Sequence, residues 1–167
     1  MKCLSVRQPW ADAIIKGIPV GNGQTLFKDV ENRSRRFNHQ GRILIHAPLT
    51  FDHDGWLWIQ ETFDCILPNP EDHQLGGFIG EVNITGCVVD SPSRWAAKGQ
   101  KHLLLSDPVE LPFFPIKGQR GLWNEPKCRV CGCTTYKSCP GGCFWVNDNI
   151  CSSCSTNSGG DTEVDID

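Results

Sequence analysis

Residues 77–89 have the sequence GFIGEVNITGCVV, which alternates along its length in the manner of a β-strand. Successive side chains of a strand point to opposite faces of a sheet. One face would carry Phe78, Gly80, Val82 and Ile84, and the other Ile79, Glu81, Asn83 and Thr85. Glycines inside a long strand are typical of strands that bend, as barrel strands must. The segment therefore predicts a small curved sheet.

Shorter elements flank this strand. A helix is predicted from Gln8-Pro9, because proline suits the first helical position, to Gly17. A second helix is predicted over residues 51–65, and residues 18–27 (IPVGNGQTLF) are predicted to form a loop. Further strands are expected at residues 3–6, 28–33, 42–46, 102–105, 109–114 and 121–123. Together these elements predict an α+β domain on a small, mostly antiparallel sheet.

Two cysteine pairs, Cys128-x2-Cys131 and Cys151-x2-Cys154, lie near the C-terminus. Each pair can bring two thiolates to one metal ion from a tight turn, and two pairs form the closed four-thiolate shell of a structural zinc site. We therefore predict a zinc ribbon over residues 127–155, with zinc as a structural cofactor. Small ribbons commonly bind nucleic acid or protein, so a protein partner is a further expectation.

Three more cysteines, Cys133, Cys139 and Cys143, lie between these pairs. Seven thiols are one short of two complete four-thiolate shells, and no histidine follows His102. We expect the extra cysteines to be spare or alternative ligands. A second site, completed by histidine or by three thiolates, remains open, and the sequence does not decide which four cysteines bind.

The 167 residues allow one ordinary domain, residues 1–126, followed by the ribbon and a short tail. The net charge of −3 at first argues against a nucleic-acid-binding protein. The tail, residues 156–167, contains Asp161, Glu163, Asp165 and Asp167, and without these the chain has 16 basic and 15 acidic residues. We expect this acidic tail to be disordered, because it has almost nothing apolar to bury.

The first residues, MKCLSVRQPWADAIIKG, contain no apolar h-region and no small-residue cleavage site. No apolar run approaches membrane-spanning length. Cys3, Cys65 and Cys87 are isolated, as expected of thiols in a reducing compartment. We therefore expect a cytoplasmic protein without a membrane partner.

Five motifs follow one another along the first domain: LSVRQPWA at residues 4–11, KDVENRS at 28–34, GRILIHA at 41–47, GGFIGEV at 76–82 and FPIKG at 114–118. In this order they resemble the signature of the ASCH domain. The resemblance covers about residues 3–124, and residues 19–27 are an insertion beside the expected site. The cysteine-rich tail resembles segments of phage and prophage proteins in composition alone.

The resemblance implies a PUA-like fold, a small β-barrel flanked by helices, with a cleft suited to RNA, DNA or one modified base. A branch of the family consists of amidohydrolases that remove the acetyl group from N4-acetylcytidine, using a lysine, a threonine three positions later and a glutamate on a central strand. Lys28 and Glu81 match this set, whereas Glu31 replaces the threonine. If the protein is such an enzyme, the resemblance implies Lys28, Glu31 and Glu81 as the reacting groups.

The chemistry of Glu31 has two interpretations. Its carboxylate could be a general base for water, or the partner of Arg33 on the same strand face. In a regular strand Lys28 and Glu31 would point to opposite faces. Both can line one cleft only if Lys28 lies at a loop edge or a bulge breaks the alternation.

The binding residues expected in the cleft are of three kinds. Arg7, Gln8 and Trp10 would form a wall for a base, and Ser5 and Ser34 could hydrogen-bond a ligand. Arg33, Arg35, Arg36 and Lys117 are the phosphate candidates. Structural roles remain open for Trp10 and Arg7, and Trp56 and Trp58 are expected to pack a helix. We expect nucleic-acid binding, to RNA or a modified nucleoside; the alternatives are the amidohydrolase and a protein-interaction module.

Overall fold

The computed structural model describes residues 1–155, with the side chain of Asn22 excepted. The chain forms two units, one covering Met1–Trp123 and a second that begins at Asn124. The predicted boundaries at residues 126 and 155 stay predictions. The predicted disorder of the acidic tail, residues 156–167, lies outside the described residues.

The regular elements follow one another closely along the chain. The strands up to Asn124 are β1 (Lys2–Ser5), β2 (Ile18–Val20), β3 (Gln24–Leu26), β4 (Val30–Arg33), β5 (Gly41–Ala47), β6 (Gly77–Val88), β7 (Lys101–Pro115) and β8 (Leu122–Asn124). The helices are α1 (Trp10–Ile15) and α2 (His53–Phe63), with short 3-10 turns at Gly21–Gly23 and Pro70–Asp72. Strand β7 joins two segments that the sequence had predicted separately.

Six strands form one mixed sheet in the order β4-β7-β6-β5-β1-β8. The pairs β4 with β7, β6 with β7 and β5 with β6 are antiparallel, whereas β1 runs parallel to β5. This six-stranded half-barrel with few helices confirms the predicted fold class, an α+β domain on a barrel-like sheet. Strands β4 and β8 form its two edges.

Strand β6 bends at three positions where its register with β7 shifts, between Phe78 and Gly80, between Glu81 and Asn83, and between Ile84 and Gly86. The predicted alternation is therefore interrupted, and both Phe78 and Ile79 are buried. Gly80 is required by packing, because a Cβ there would lie 2.6 Å from the Val109 carbonyl oxygen and 2.7 Å from the Ile15 side chain. The interior glycine thus lets α1 pack closely on the sheet.

Two apolar clusters fill the first unit. One lies between α1 and the sheet and includes Leu4, Ile14 and Ile45. The other includes Ile59 and Phe63, which are buried on one side of α2. Asp52 caps α2 by accepting the Gly55 N–H at 3.0 Å. The second predicted helix is therefore present, two residues shorter at each end.

The prediction of a loop at residues 18–27 is wrong. Strands β2 and β3 pair antiparallel around the Gly21–Gly23 turn, with Ile18 opposite Leu26. Asn-Gly between short β-prone segments is a hairpin signal, and it outweighs the glycine content that suggested a loop. The strand predicted from residue 28 begins only at Val30, so Lys28 lies in the segment before β4.

The second unit contains β9 (Trp145–Asn147), β10 (Ile150–Cys151) and the short helix α3 (Ser152–Ser155). Strands β9 and β10 pair antiparallel. Its buried cluster consists of Ile150 and four cysteines, with Trp145 and two further cysteines packed against it. The buried cluster of the second unit thus consists mainly of cysteine side chains.

Candidate functional site

Three cavities adjoin one another on the first unit. We call them the basic cavity, of about 980 Å³, the central cavity, of about 330 Å³, and the aromatic cavity, of about 540 Å³. The basic and central cavities share Ser5, Arg7 and Arg33, and the central and aromatic cavities share Trp10, Asn32 and Asp52. Together they form one continuous feature, which we call the groove.

The basic cavity is lined by cationic side chains. The charged residues in its described lining are Arg7, Arg33, Lys117 and Arg120. Lys117 and Arg120 belong to the segment after β7, and Arg7 follows β1. Arg7 is largely exposed, and its guanidinium lies 3.7 Å from the Asp52 carboxylate. The cavity can therefore accept an anion such as phosphate.

His46 and Ser5 form a hydrogen-bonded wall of this cavity. His46 Nε2 lies 2.9 Å from the Ile116 carbonyl oxygen, which can only accept, so Nε2 carries a proton. Ser5 Oγ donates to the Gln119 carbonyl oxygen at 2.8 Å and lies 3.2 Å from His46 Nδ1. Burial lowers the pKa of His46, although the bond to Ile116 opposes the change. The imidazole is therefore favoured in its neutral form.

The central cavity contains a buried ion network around Glu31. Lys28 Nζ lies 2.7 Å from Glu31 Oε2, and Arg33 Nη2 lies 3.2 Å from Glu31 Oε1. Lys28 also donates to the Val30 carbonyl oxygen. Because Lys28 precedes β4, its ammonium group can reach the same face as Glu31. Both interpretations of Glu31 thus have support, since it pairs with Arg33 and also lines a cavity beside Lys28.

Glu81, the third residue of the proposed reacting set, has a different partner. Its Oε1 accepts a hydrogen bond from Arg42 at 2.6 Å. It pairs with Val109 of β7, whereas Glu31 pairs with Leu103 of the same strand, six positions away. At about 3.3 Å per residue, that separation is about 20 Å along a regular strand. The structure therefore brings Lys28 and Glu31 together and places Glu81 elsewhere on the sheet.

Trp10 lies where the central and aromatic cavities meet. Its indole N–H donates to Asp52 Oδ2 at 2.9 Å, and Lys28 Nζ lies 5.8 Å from the ring centroid. Burial raises the pKa of Asp52, but hydrogen bonds from Trp10 and Gly55 and the charge of Arg7 outweigh burial and lower that pKa overall. The ring is half-buried, so it packs in the core and also lines the groove.

The aromatic cavity contains residues that the sequence analysis missed. Trp58 is 42% exposed and lies 5.7 Å from Trp10 between ring centroids, although it was expected only to pack α2. Trp95 and Arg94 complete this wall. One signal was available for Trp58: it lies next to Ile59, outside the buried i, i+4 positions 59 and 63, which places its ring at the edge of the core.

The remaining predicted binding residues divide into two groups. Gln8 is fully buried, and its amide donates to the Gln74 carbonyl oxygen at 3.2 Å and accepts from the Asp12 N–H at 2.9 Å. Its polar atoms are therefore occupied within the protein. Ser34, Arg35 and Arg36 are exposed in the turn after β4, and Arg36 lines a separate cavity of about 140 Å³.

The four predicted zinc ligands come together in the second unit. The Sγ atoms of Cys128, Cys131, Cys151 and Cys154 all lie within 4.8 Å of one another. A tetrahedral site with 2.3 Å zinc–sulfur bonds separates its sulfurs by about 3.8 Å. The Cys131 and Cys151 sulfurs are 3.7 Å apart, which fits that geometry. Backbone amides of Cys131 and Cys151 lower the pKa of Cys128 to about 5, whereas burial raises the pKa of Cys154, so the thiolate that a metal requires is favoured at Cys128 and disfavoured at Cys154.

The chain is distantly similar to activating signal cointegrator 1 of Homo sapiens. The two are 27% identical over 142 residues, which cover 73% of this chain and 22% of the human protein. The chain thus spans about a fifth of the length of this relative. No protein-family model matches the chain. None of the described helices has the length and apolar character that a membrane crossing requires.

This similarity implies an ASCH-like domain, in agreement with the resemblance of the motifs. All five of those motifs contribute residues to the groove: Ser5, Arg7 and Trp10 from the first, Lys28, Glu31 and Arg33 from the second, His46 from the third, Gly76 from the fourth and Lys117 from the last. The segment expected to be an insertion, residues 19–27, largely coincides with the β2–β3 hairpin.

Proposed function

We propose that the groove binds single-stranded nucleic acid. The ligand would be RNA or a modified nucleoside. The observation that supports this proposal most is the continuity of a cationic cavity with one lined by indole rings. Arginine and lysine neutralise phosphates, and exposed aromatic rings stack on bases of any sequence. Phosphates would occupy the basic cavity, and a base would lie beside Trp58 and Trp10.

An unpaired strand suits the groove better than a duplex. Bases inside a duplex are stacked on one another and cannot lie against an indole, whereas bases of a single strand can be splayed out. Asp52, which lines the passage between the central and aromatic cavities, offers carboxylate acceptors for the polar edge of a base, whereas the Asn32 amide is occupied by the Trp95 carbonyl oxygen and the Ala97 N–H. RNA is the preferred candidate, as the motif resemblance implies.

The test is fluorescence anisotropy with a labelled single-stranded RNA of about 8 nucleotides, across a salt series. DNA of the same sequence and the duplex serve as competitors. We expect the single strands to bind and the affinity to fall with salt, by about 0.7 in log K per decade of salt for each phosphate contact. Equal affinity for the duplex would argue against a groove that holds unpaired bases.

Two variants with matched controls separate the phosphate and base contributions. Lys117→Ala should reduce the salt slope by about 0.7, whereas Lys2→Ala, at the far end of β1 from Ser5, should not. Trp58→Ala should weaken binding by about 1–3 kcal/mol at an unchanged salt slope. Leu57→Ala removes an adjacent side chain that is 50% exposed and should have no effect. If the Trp58 and Leu57 variants bind alike, the aromatic cavity is not the base site.

The second candidate function is hydrolysis of an N4-acylated cytidine. It is favoured by the contact of Lys28 with Glu31 at the wall of the central cavity. Lys28 would polarise the acyl oxygen, and Glu31 would take a proton from the attacking water and pass it to N4 as the bond from the acyl carbon to N4 breaks, which releases acetate and cytidine. Release of cytidine from N4-acetylcytidine by the wild type but not by folded Lys28→Ala protein would support it. Glu81→Gln should leave the rate unchanged, because Glu81 pairs with Arg42.

We further propose zinc as the metal of the second unit, with a role in extending the nucleic-acid surface or recruiting a protein. Four thiolates leave no open position for a reacting water, so the ion would be structural. Thiolate sites persist where thiols stay reduced, which makes the cytoplasm the proposed location. If the ribbon extends the surface, Cys151→Ser should weaken RNA binding while the first unit stays folded.

A further inference from the structure

The second unit brings seven cysteines into one cluster. Besides the four predicted ligands, Cys133, Cys139 and Cys143 pack in the same group. The Cys133 and Cys143 sulfurs are 3.7 Å apart, and the Cys131 and Cys139 sulfurs are 3.5 Å apart. None of these cysteines is in a disulfide. A disulfide bond is about 2.05 Å long, so these are contacts between separate sulfurs.

Two different sets of four cysteines have the geometry of a metal site. One set is Cys128, Cys131, Cys151 and Cys154, and the other is Cys131, Cys133, Cys139 and Cys151. Cys131 and Cys151 occur in both sets. In the second set the Cys139 sulfur lies 3.8 Å from that of Cys151, close to the tetrahedral edge of about 3.8 Å. Two metal positions therefore lie side by side, with common ligands between them.

The number of thiols fits this arrangement. Two tetrahedral ions have eight ligand positions, and seven thiolates fill all eight when one sulfur bridges both ions. Cys143, which lies against Cys133, is available to the second ion, and its sulfur accepts the Cys139 N–H at 3.3 Å. The shortage of one thiol, which in sequence argued against a second complete shell, disappears if one thiolate is shared.

We infer that the second unit binds two metal ions in a seven-thiolate cluster. One ion is held by Cys128, Cys131, Cys151 and Cys154. The other is held by Cys133, Cys139 and Cys143, with Cys131 or Cys151 as the bridging ligand. Tetrahedral sulfur shells select zinc among the common divalent ions. This inference is independent of what the groove binds.

The direct test is the metal content of the full chain, purified under reducing conditions without added chelator. Native mass spectrometry and elemental analysis should both give two zinc ions per chain. Replacement by ¹¹³Cd should give two NMR signals that are coupled to each other through the shared sulfur. One zinc per chain after saturation with zinc would overturn the inference, while leaving a single four-cysteine site intact.

Variants assign the ligands. Cys143→Ser should bind one zinc, because it removes a thiolate that only the second ion uses, and its single ¹¹³Cd signal should show no coupling. Cys65→Ser removes a half-buried thiol of the first unit and should keep two. Two ions retained in Cys143→Ser would overturn the ligand assignment. The metal content of the wild type does not depend on the folding of any variant.

Discussion

Lys28 is only 2% exposed, which is unusual for a lysine. A buried ammonium group is tolerated when an opposite charge and further acceptors surround it. Glu31 and the Val30 carbonyl oxygen meet that requirement. The same contacts that make the residue a candidate for catalysis or recognition also make it part of the folded structure.

The first prediction concerns this pair. Lys28→Met should lower the free energy of unfolding by about 3–5 kcal/mol, because it leaves the buried Glu31 carboxylate with Arg33 alone. Replacing both residues, as Lys28→Met with Glu31→Gln, should be less damaging than the sum of the two single changes. Urea denaturation of the single and double variants measures the coupling. Lys16→Met, at the exposed residue directly after α1, is the control, and a Lys28→Met loss no larger than that of the control would contradict the prediction.

The second prediction concerns His46 and pH. Because burial lowers its pKa in the folded protein, the unfolded chain takes up a proton first as the pH falls below about 6.5. The contribution of neutral His46 to the free energy of unfolding is therefore fully present above about pH 6.5. It is lost as the pH falls from there through the lowered pKa of His46 in the folded protein. Urea denaturation between about pH 5 and 7.5 should show a smaller pH dependence for His46→Gln than for the wild type. Equal slopes for the two proteins would contradict it.

Some of the residues that line the groove could be predicted individually from the sequence motifs. Residues from the recognisable motifs, such as Trp10, Glu31 and Lys117, do line it. The sequence missed Arg120, His46, Trp58 and Trp95, because a local pattern shows which face of an element a residue occupies but not which other elements meet that face. It also did not show that Gln8 is enclosed and bonded to backbone groups on both sides.

At the scale of elements, the segment after β7 is held against β5 by the bond from His46 to Ile116 and by a close approach at Gly118. A Cβ placed on Gly118 would lie 2.3 Å from His46 Cε1. Any larger residue must therefore displace either the ring or the segment that carries Lys117 and Arg120. Gly118 thus fixes the wall of the basic cavity.

The third prediction is a loss of stability in Gly118→Ala of about 1–3 kcal/mol, typical of overpacking, together with weaker RNA binding. Gly21→Ala is a matched control, because no atom lies within 4 Å of a Cβ built there and its backbone conformation suits any residue. The control should be neutral or slightly stabilising. Thermal unfolding and the anisotropy assay measure the two effects. The same result for both glycines would show that the contact with His46 does not constrain the segment.

Element prediction succeeded where one signal was strong and failed where two signals competed. The long alternating strand β6 and the helix α2 were both recognisable from their periods. The β2–β3 hairpin was missed, because glycine and asparagine occur both in loops and in tight hairpin turns. The exact places where β6 bends depend on its partner β7, and the sequence of β6 alone does not contain them.

At the scale of the whole molecule, the two units differ in what holds them together. The first has two apolar clusters, whereas the second has a cluster made mainly of cysteines. A module of this size without an apolar core depends on metal for its folding. The charge of the basic cavity also differs from that of the whole chain. The chain has a net charge of −3, whereas the charged residues that line this cavity are cationic.

The fourth prediction follows from that difference. Removal of metal with a strong chelator should unfold the second unit and leave the unfolding midpoint of the first unit unchanged. Limited proteolysis should then cleave the chain after about residue 124, and mass spectrometry should identify an intact fragment that ends near there. Loss of all structure on chelation would show that the two units do not fold independently.

Strand β1 lies between β5 and β8, so the beginning and the end of the first domain are neighbours in the sheet. A polypeptide that passes through this domain enters and leaves it at adjacent strands, which allows such a domain to be placed inside a longer protein with little displacement of the flanking chain. The same arrangement orders events during synthesis. The edge of the sheet beside β1 can be completed only after Leu122–Asn124 has left the ribosome, so the nascent chain completes its first domain late.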